Sequence, residues 1–212
     1  MLKNFDDDPR KQQEAKGQPI ADAIYKAQYP GCEIKRFSRE DESVLDIKFA
    51  IDLQLKLTSG QILTCQEKFL SYKYAGFNSV TIEFMQDFKT GEEGDWFKMA
   101  VQIYFVAYFD KDEQSFLKWA LLDWSAIAKE TASNRIDWRT NQNKDGHARA
   151  SFRFIDWDKL PSHCIIAKYI KPVNSVNKQI HLMEQWEIDA GIWYDKDGNP
   201  NCGYRHTIPL MP

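Results

Sequence analysis

Three residues in two neighbouring segments, Asp52, Gln66 and Lys68, have side chains and a spacing that suit phosphodiester hydrolysis. A carboxylate and an amide oxygen can hold a divalent cation, because Mg²⁺ prefers oxygen ligands. A lysine beside them can stabilise the negative charge that develops on the phosphate in the transition state. The three residues therefore predict a metal-dependent site in which Asp52 is the principal ligand, Gln66 a neutral ligand and Lys68 the cationic group.

The elements that carry these residues are predicted from the alternation of apolar and polar side chains. From Leu45 to Leu57 every second residue is apolar, which predicts a strand over 44–57. Residues 58–61 read as a turn, and alternation resumes in a second predicted strand over 62–70. In that strand Leu63, Cys65 and Phe69 share one face, and Thr64, Gln66 and Lys68 share the other.

The length of the turn decides which residues meet across this hairpin. With a three-residue loop over 59–61, Asp52 faces Lys68, and the Cβ atoms of such a pair are about 4.5–5.5 Å apart. With a two-residue loop Asp52 faces Glu67 instead, because a slip of one residue moves a set of side chains to the other face. We predict the first register, since it groups the apolar residues of the second strand. It assigns no role to Glu67.

Asp52, with the run Gln66-Glu67-Lys68 that follows, resembles the core of the PD-(D/E)xK nuclease superfamily. The similarity is to the restriction-enzyme branch in which glutamine replaces the first acid of the second motif, and it covers about residues 19–110. The resemblance implies an α/β fold, with a central mixed β-sheet flanked by helices and a restriction-endonuclease-like core. It also implies a metal-dependent DNA endonuclease that hydrolyses phosphodiester bonds with Mg²⁺ or Mn²⁺.

Two further carboxylates are candidate metal ligands beside Asp52 and Gln66. Glu83 lies in a predicted strand over 79–85, and Glu14 lies near the N-terminus. Either one would add the negative charge that Gln66 does not provide.

A polar, turn-rich stretch over 135–149 is the candidate nucleic-acid contact. Its basic residues can bind phosphates, and Trp138 can stack on a base. The candidate phosphate-binding residues are Arg135, Arg139, Lys144 and Arg149. The alternative interpretation of this stretch is an ordinary solvated loop.

Length, charge and cysteine spacing limit the class of protein. The chain has 212 residues and a formal net charge of −3. We expect a flexible segment over 1–18, then a single nuclease-like domain over 19–212 with an elaborated C-terminal part. No apolar run approaches the roughly eighteen residues of a membrane helix, so we expect a cytoplasmic protein with no membrane partner. The four cysteines lack CxxC spacing, which favours buried reduced thiols over a zinc site.

The remaining pattern predicts the rest of the α/β domain. Further strands are predicted over 102–109, 116–123 and 151–155, the first two joining the central sheet with those over 44–57, 62–70 and 79–85. Helices are predicted over 20–29 and 126–132, the second with Ser125 as its N-cap.

Alternative functions stay open at this level. The leading prediction is the DNA endonuclease, whose compact form would suit a phage or mobile-element protein by analogy; a homodimer is left open. Glutamine at position 66 and the acidic composition favour instead a non-catalytic module on the same scaffold that binds nucleic acid or a protein. A third reading is an aromatic-rich sugar-binding domain.

Overall fold

The computed structural model describes residues 9–37, 43–142, 149–172, 193–194 and 200–201. The chain divides into two compact units, Met1–Lys171 and Pro172–Pro212, where the sequence predicts one domain. In the described part of the second unit, two short strands, Trp193–Tyr194 and Pro200–Asn201, form an antiparallel hairpin. All residues of the candidate site lie in the first unit.

Six strands of the first unit form a mixed sheet. The order across this larger sheet is β1 (Glu33–Arg36), β2 (Leu53–Lys56), β3 (Ile62–Leu70), β6 (Ile103–Phe109), β7 (Phe116–Asp123) and β10 (Ile165–Ile170). All neighbours in it are antiparallel except the central pair, β3 and β6, which is parallel.

Four further strands form a smaller antiparallel sheet. The order across it is β5 (Glu92–Glu93), β4 (Ser79–Asp87), β9 (Ser151–Asp156) and β8 (Arg139–Gln142). The prediction that the strand near 79–85 joins a single central sheet is therefore wrong. β3 already pairs with β2 along one edge and with β6 along the other, so the larger sheet offers β4 no edge beside it.

Helices flank the sheets, so the fold is mixed α/β, as predicted. α1 (Pro9–Gln28) begins well before the predicted helix over 20–29, and α3 (Asp95–Lys98) is a single turn before β6. α4 (Trp124–Ala132) begins two residues earlier than predicted. Its N-cap is Asp123, whose carboxylate accepts a hydrogen bond from the Ala126 N–H at 2.9 Å, and Ser125 does not cap it.

The larger sheet is buried on both faces, which explains the continuous apolar run of β6. All seven residues of β6 are buried, as expected for a strand covered on both sides. One face packs against α1, through a core that includes Tyr25, Leu53 and Phe105. The other packs against the smaller sheet, through a core that includes Ile82, Tyr104 and Val106.

Residues 43–50 depart most from prediction. Ser43–Phe49 forms helix α2 instead of the first half of the predicted strand over 44–57, and Ala50, with a φ of 49°, ends it. Residues two apart lie on opposite faces of a helix, so Leu45 packs into the core while Ile47 is 52% exposed. Short apolar runs do not distinguish strand from helix by periodicity alone.

The hairpin of β2 and β3 forms with a register shifted from prediction. Its three-residue loop, 58–60, is closed by the Leu57 N–H, which donates to the Gln61 carbonyl at 2.8 Å. The predicted loop began one residue later. Leu53 therefore pairs with Cys65, and the prediction that Asp52 faces Lys68 is wrong. The shift moves each partner by two positions, so the β3 side chains keep their predicted faces.

Candidate functional site

Gln66 and Lys68 project into the space between the two sheets. On the neighbouring strand β6 they pair with Tyr104 and Val106, which belong to the core shared with the smaller sheet. Paired residues of neighbouring strands point to the same face. Both side chains are therefore directed toward the smaller sheet, and the residue between them, Glu67, is directed toward α1.

Asp52 lies at the end of the hairpin, one residue before β2. Its N–H donates to the Cys65 carbonyl at 2.9 Å, and its carboxylate oxygen Oδ2 accepts from the Glu67 N–H at 2.6 Å. The Asp52 carboxylate thus accepts the hydrogen bond from the Glu67 N–H that a backbone carbonyl would accept in a continued strand pair. This occurs where β2 begins to separate from β3. This brings Asp52 beside Gln66, closer along β3 than the predicted partner Lys68.

The environment of Asp52 favours its protonated form. Burial raises the pKa of Asp52 to about 8, although the hydrogen bond from the Glu67 N–H opposes that rise. The carboxylates of Glu67, Asp46 and Glu14 raise the pKa further. Negative charge from four segments of the chain therefore converges on this end of the hairpin, and a bound cation would relieve it.

The side-chain amide of Gln66 is satisfied on one side only. Its Nε2 donates to Asp95 Oδ2 at 3.5 Å. Its Oε1 is buried and has no hydrogen-bond partner among the described residues. An unpaired buried acceptor costs about 1–3 kcal/mol, so this oxygen is the one atom of the predicted site that lacks a structural explanation.

Asp95 is a site residue that the sequence did not reveal. It opens helix α3, forms an ion pair with Lys98 at 3.2 Å, and directs the Gln66 amide so that the carbonyl oxygen points elsewhere. Its contact with Gln66 spans 29 positions, and no spacing rule links residues that far apart.

Lys68 is partly buried between the sheets, and its side chain forms no hydrogen bond or ion pair with any described residue. The structure therefore contains no cross-strand ion pair between Lys68 and Asp52. Both the cationic group and the amide oxygen of the predicted motif face the same inter-sheet space without partners.

Glu67, which had no assigned role, forms the best-paired charged contact of the hairpin. Its carboxylate accepts from Arg36 Nη1 at 2.5 Å and from the Tyr25 hydroxyl at 3.1 Å. Arg36 Nη2 also donates to Asp22 of α1 at 2.5 Å. Burial raises the pKa of Glu67 and the Arg36 guanidinium opposes that rise. Arg36 therefore joins β1, β3 and α1 around one buried carboxylate.

The two additional predicted ligands lie in different places. Glu14 lies on α1, close enough for its charge to raise the pKa of Asp52. Glu83 lies on β4 of the smaller sheet, where its neighbours Val80 and Ile82 face the core. Alternation directs Glu83 to the opposite face, and its side chain lies against Gly94. We therefore leave Glu83 out of the site discussed below.

The described residues fit a divalent cation weakly. No group of three His, Cys, Asp or Glu side chains that could hold a metal comes together in the described ranges. Asp52 offers one carboxylate, and the unpartnered Oε1 of Gln66 offers one neutral oxygen. One or two protein oxygens, completed by water and phosphate oxygens, are an ordinary set for Mg²⁺.

The predicted nucleic-acid contacts are largely occupied by acids. Each of the three arginines that the structure describes forms an ion pair, namely Arg135 with Glu130, Arg139 with Asp156, and Arg149 with Asp87. Trp138 packs edge-on against Trp96 with ring centroids 5.0 Å apart, so it belongs to the core. Lys144 lies outside the described residues.

The cysteines and the helices bear on two further predictions from the sequence. Cys32, Cys65 and Cys164 are free and buried, as predicted, and Cys202 lies outside the described residues. Among the described residues, no helix has both the length and the apolar character needed to cross a membrane.

Comparisons with protein-family models, with curated proteins and with solved structures gave no match to this chain. Its function is therefore argued from the site itself.

Proposed function

We propose that this protein is a metal-dependent nuclease that hydrolyses phosphodiester bonds in DNA. The observation that carries the proposal is the buried Oε1 of Gln66, which has no partner among the described residues. Asp52 lies close along the strand, since its carboxylate accepts from the N–H of Glu67, the residue after Gln66. An unpaired buried oxygen next to a buried carboxyl, with a lysine two residues along the same face, is costly for stability. A bound cation and a phosphate would satisfy all three groups.

Each side chain then has a defined task. Asp52 and Gln66 would hold Mg²⁺ or Mn²⁺ through one carboxylate oxygen and one amide oxygen. When bound, the cation polarises the phosphoryl oxygens and lowers the pKa of a coordinated water. Lys68 would donate to a non-bridging oxygen of the phosphate, where charge develops. Asp95 would keep the Gln66 amide in the orientation that presents Oε1.

The order of elements supports the proposal. Along the chain, helix α1 comes first, the antiparallel strands β1 to β3 follow, and the parallel strand β6 comes later. A helix packed on a mixed sheet of this kind is what the nuclease resemblance implies. The motif residues stand where β2 and β3 separate, and the sheet itself fixes their positions. A cytoplasmic location and a homodimer remain predictions.

The decisive experiment is cleavage of supercoiled, linear, branched and single-stranded DNA with Mg²⁺ or Mn²⁺. Lys68→Ala should lower the rate about 10²–10³-fold, as loss of one group that stabilises the transition state does. Lys56→Ala is the matched control, because Lys56 is exposed on β2 and pairs with Glu33 at 3.1 Å; it should cleave like the wild type. If the wild type cleaves none of these substrates, or Lys68→Ala cleaves them as fast, the nuclease proposal is wrong.

The second candidate function is a non-catalytic module that binds nucleic acid or a protein on the same scaffold. The absence of a three-carboxylate group in the described ranges favours it. This candidate predicts DNA binding that is unchanged by EDTA and no cleavage with either metal ion.

A further inference from the structure

The guanidinium of Arg153 is held between two aromatic rings at the edge of the inter-sheet core. Its Cζ lies 4.3 Å from the centroid of the Phe84 ring and 4.5 Å from that of the Trp96 ring. Arg153 stands on β9 opposite the buried Ile82, so its side chain projects from the smaller sheet toward the larger one. The side chain is partly exposed.

The Arg153 side chain forms no ion pair or hydrogen bond with any described residue, although its guanidinium has five N–H donors. Arg139 provides the contrast within the same sheet. It stacks on Phe154 at 4.6 Å in a similar way, but it also pairs with Asp156 at 3.1 Å. The stacking fixes the plane of the Arg153 guanidinium and leaves its hydrogen-bonding edge unsatisfied.

Arg153 and the candidate site are connected through helix α3. Trp96, which stacks on Arg153, directly follows Asp95, and Asp95 accepts the hydrogen bond from Gln66. The two sheets also contact each other here, because Tyr104, which pairs with Gln66, donates its hydroxyl to the Thr81 carbonyl of β4 at 3.0 Å. Gln66 and Lys68 thus extend into the inter-sheet region from the larger sheet. The Arg153 guanidinium extends toward the same region from the smaller sheet.

We infer that Arg153 binds a backbone phosphate of the nucleic-acid strand that lies in the candidate site. This inference rests on the proposed function and adds the residue that holds the substrate. A planar guanidinium can contact two phosphate oxygens at once, and stacking on aromatic rings orients it for that contact. The contact takes the anion that every nucleotide carries, so it positions the strand without reading its sequence.

The test measures binding separately from cleavage. The anisotropy of labelled single-stranded and double-stranded oligonucleotides is followed in EDTA over a range of salt concentrations. Arg153→Gln should weaken binding about tenfold, the loss expected for a charged hydrogen bond. It should also reduce the slope of log affinity against log salt by about 1, as loss of one phosphate contact does. Lys168→Gln is the control, because Lys168 is an exposed cation that pairs with Asp158 at 2.7 Å; it should change neither quantity.

A second variant keeps the test decisive if Arg153→Gln does not fold. Arg153→Lys retains the charge but loses the planar fork, so we expect weaker binding with an unchanged salt slope. If both variants fold and bind with the affinity of the wild-type protein, the inference is wrong. If Arg153→Gln is unfolded, wild-type affinity in Arg153→Lys alone is enough to overturn it. The inference is also wrong if the wild-type protein binds no oligonucleotide. Binding that depends on Arg153 without any cleavage supports the phosphate contact while the nuclease proposal fails.

Discussion

Strand β3 presents Glu67 to helix α1 on one face, and Gln66 and Lys68 to the smaller sheet on the other. On the α1 face, both oxygens of the Glu67 carboxylate accept hydrogen bonds from Arg36. On the inter-sheet face, Gln66 Oε1 is buried without a partner, and Lys68 forms no ion pair with a described residue. Three consecutive residues of one strand therefore face two different environments.

The two faces of β3 differ in how well their buried polar groups are paired. A buried charge that is paired joins elements and fixes their positions. Arg36 does this for β1, β3 and α1 through its two terminal nitrogens, which bind Asp22 and Glu67, while its Nε is buried without a partner among the described residues. Buried polar atoms left unpaired reduce stability, and a bound ligand can satisfy them. The carboxylate of Glu67 is paired with Arg36, so we assign the α1 face to the scaffold, and we propose the inter-sheet face, where Gln66 Oε1 and Lys68 lack partners among the described residues, as the site.

The largest expected effect comes from breaking the paired face. Arg36→Ala leaves Glu67, whose side chain is only 4% exposed, with the Tyr25 hydroxyl alone. Removing one partner of a buried pair costs about 3–5 kcal/mol, and urea unfolding measures that loss. Lys56→Ala, which removes an exposed pair with Glu33 between the neighbouring strands β1 and β2, should cost at most about 1 kcal/mol. Equal losses in the two variants would show that the Arg36 cluster is no scaffold.

A smaller effect is expected from the proton on Asp52 in the metal-free protein. The folded protein keeps this proton up to about pH 8, because burial raises the pKa of Asp52, whereas the unfolded chain releases it near pH 4. The unfolded state therefore binds fewer protons over this range, and stability should fall as the pH rises from about 4 to 8. We expect a loss of roughly 1–3 kcal/mol, reduced by partial exposure.

Asp52→Asn should remove that part of the pH dependence, since asparagine does not titrate. Thermal unfolding of both proteins at several pH values measures the difference. If the stabilities of wild type and variant run parallel from pH 4 to 8, the Asp52 carboxyl is solvated like a surface group.

The smallest effect is expected from the residue that orients Gln66. Asp95→Asn allows the Gln66 amide to turn and should weaken Mn²⁺ binding by about tenfold or less, as for other groups that orient metal ligands. Titration calorimetry measures the change. Lys98→Ala removes only the ion pair with Asp95 and should leave the affinity unchanged. Gln66→Glu adds a charged ligand and should tighten binding. An Asp95→Asn variant that binds Mn²⁺ like the wild type would leave Asp95 without a role.

Several strands could be predicted because their sequence patterns are local. β6 was predicted from a continuous apolar run, and β7 and β9 were predicted to within a residue or two of their ends. The hairpin loop was predicted at the correct length, since Gly60, with a φ of 85°, suits a tight turn. Its position was wrong by one residue, because several adjacent polar residues fit the same turn chemistry.

The site was predicted only in part, because only some of its features depend on local sequence patterns. Gln66 and Lys68 share a face because alternation along one strand requires it. The roles of Asp95 and Arg36, and the pairing of Glu67, depend on contacts between segments that are distant in sequence. A single sequence carries no signal for such contacts. The expectation that Arg139 and Arg149 are free for phosphates was likewise made without knowledge of their partners Asp156 and Asp87.

By itself the sequence determined the mixed α/β composition, the hairpin that carries the motif, and the face of β3 on which Gln66 and Lys68 lie. These properties depend on periodicity and turn chemistry, which act over a few residues. Tertiary structure alone decided that residues 43–49 form a helix, that β4 joins a second sheet, and that the Arg153 guanidinium lies between the rings of Phe84 and Trp96. Those outcomes depend on which apolar surfaces and strand edges remain available once the other strands have paired. That in turn depends on residues throughout the chain.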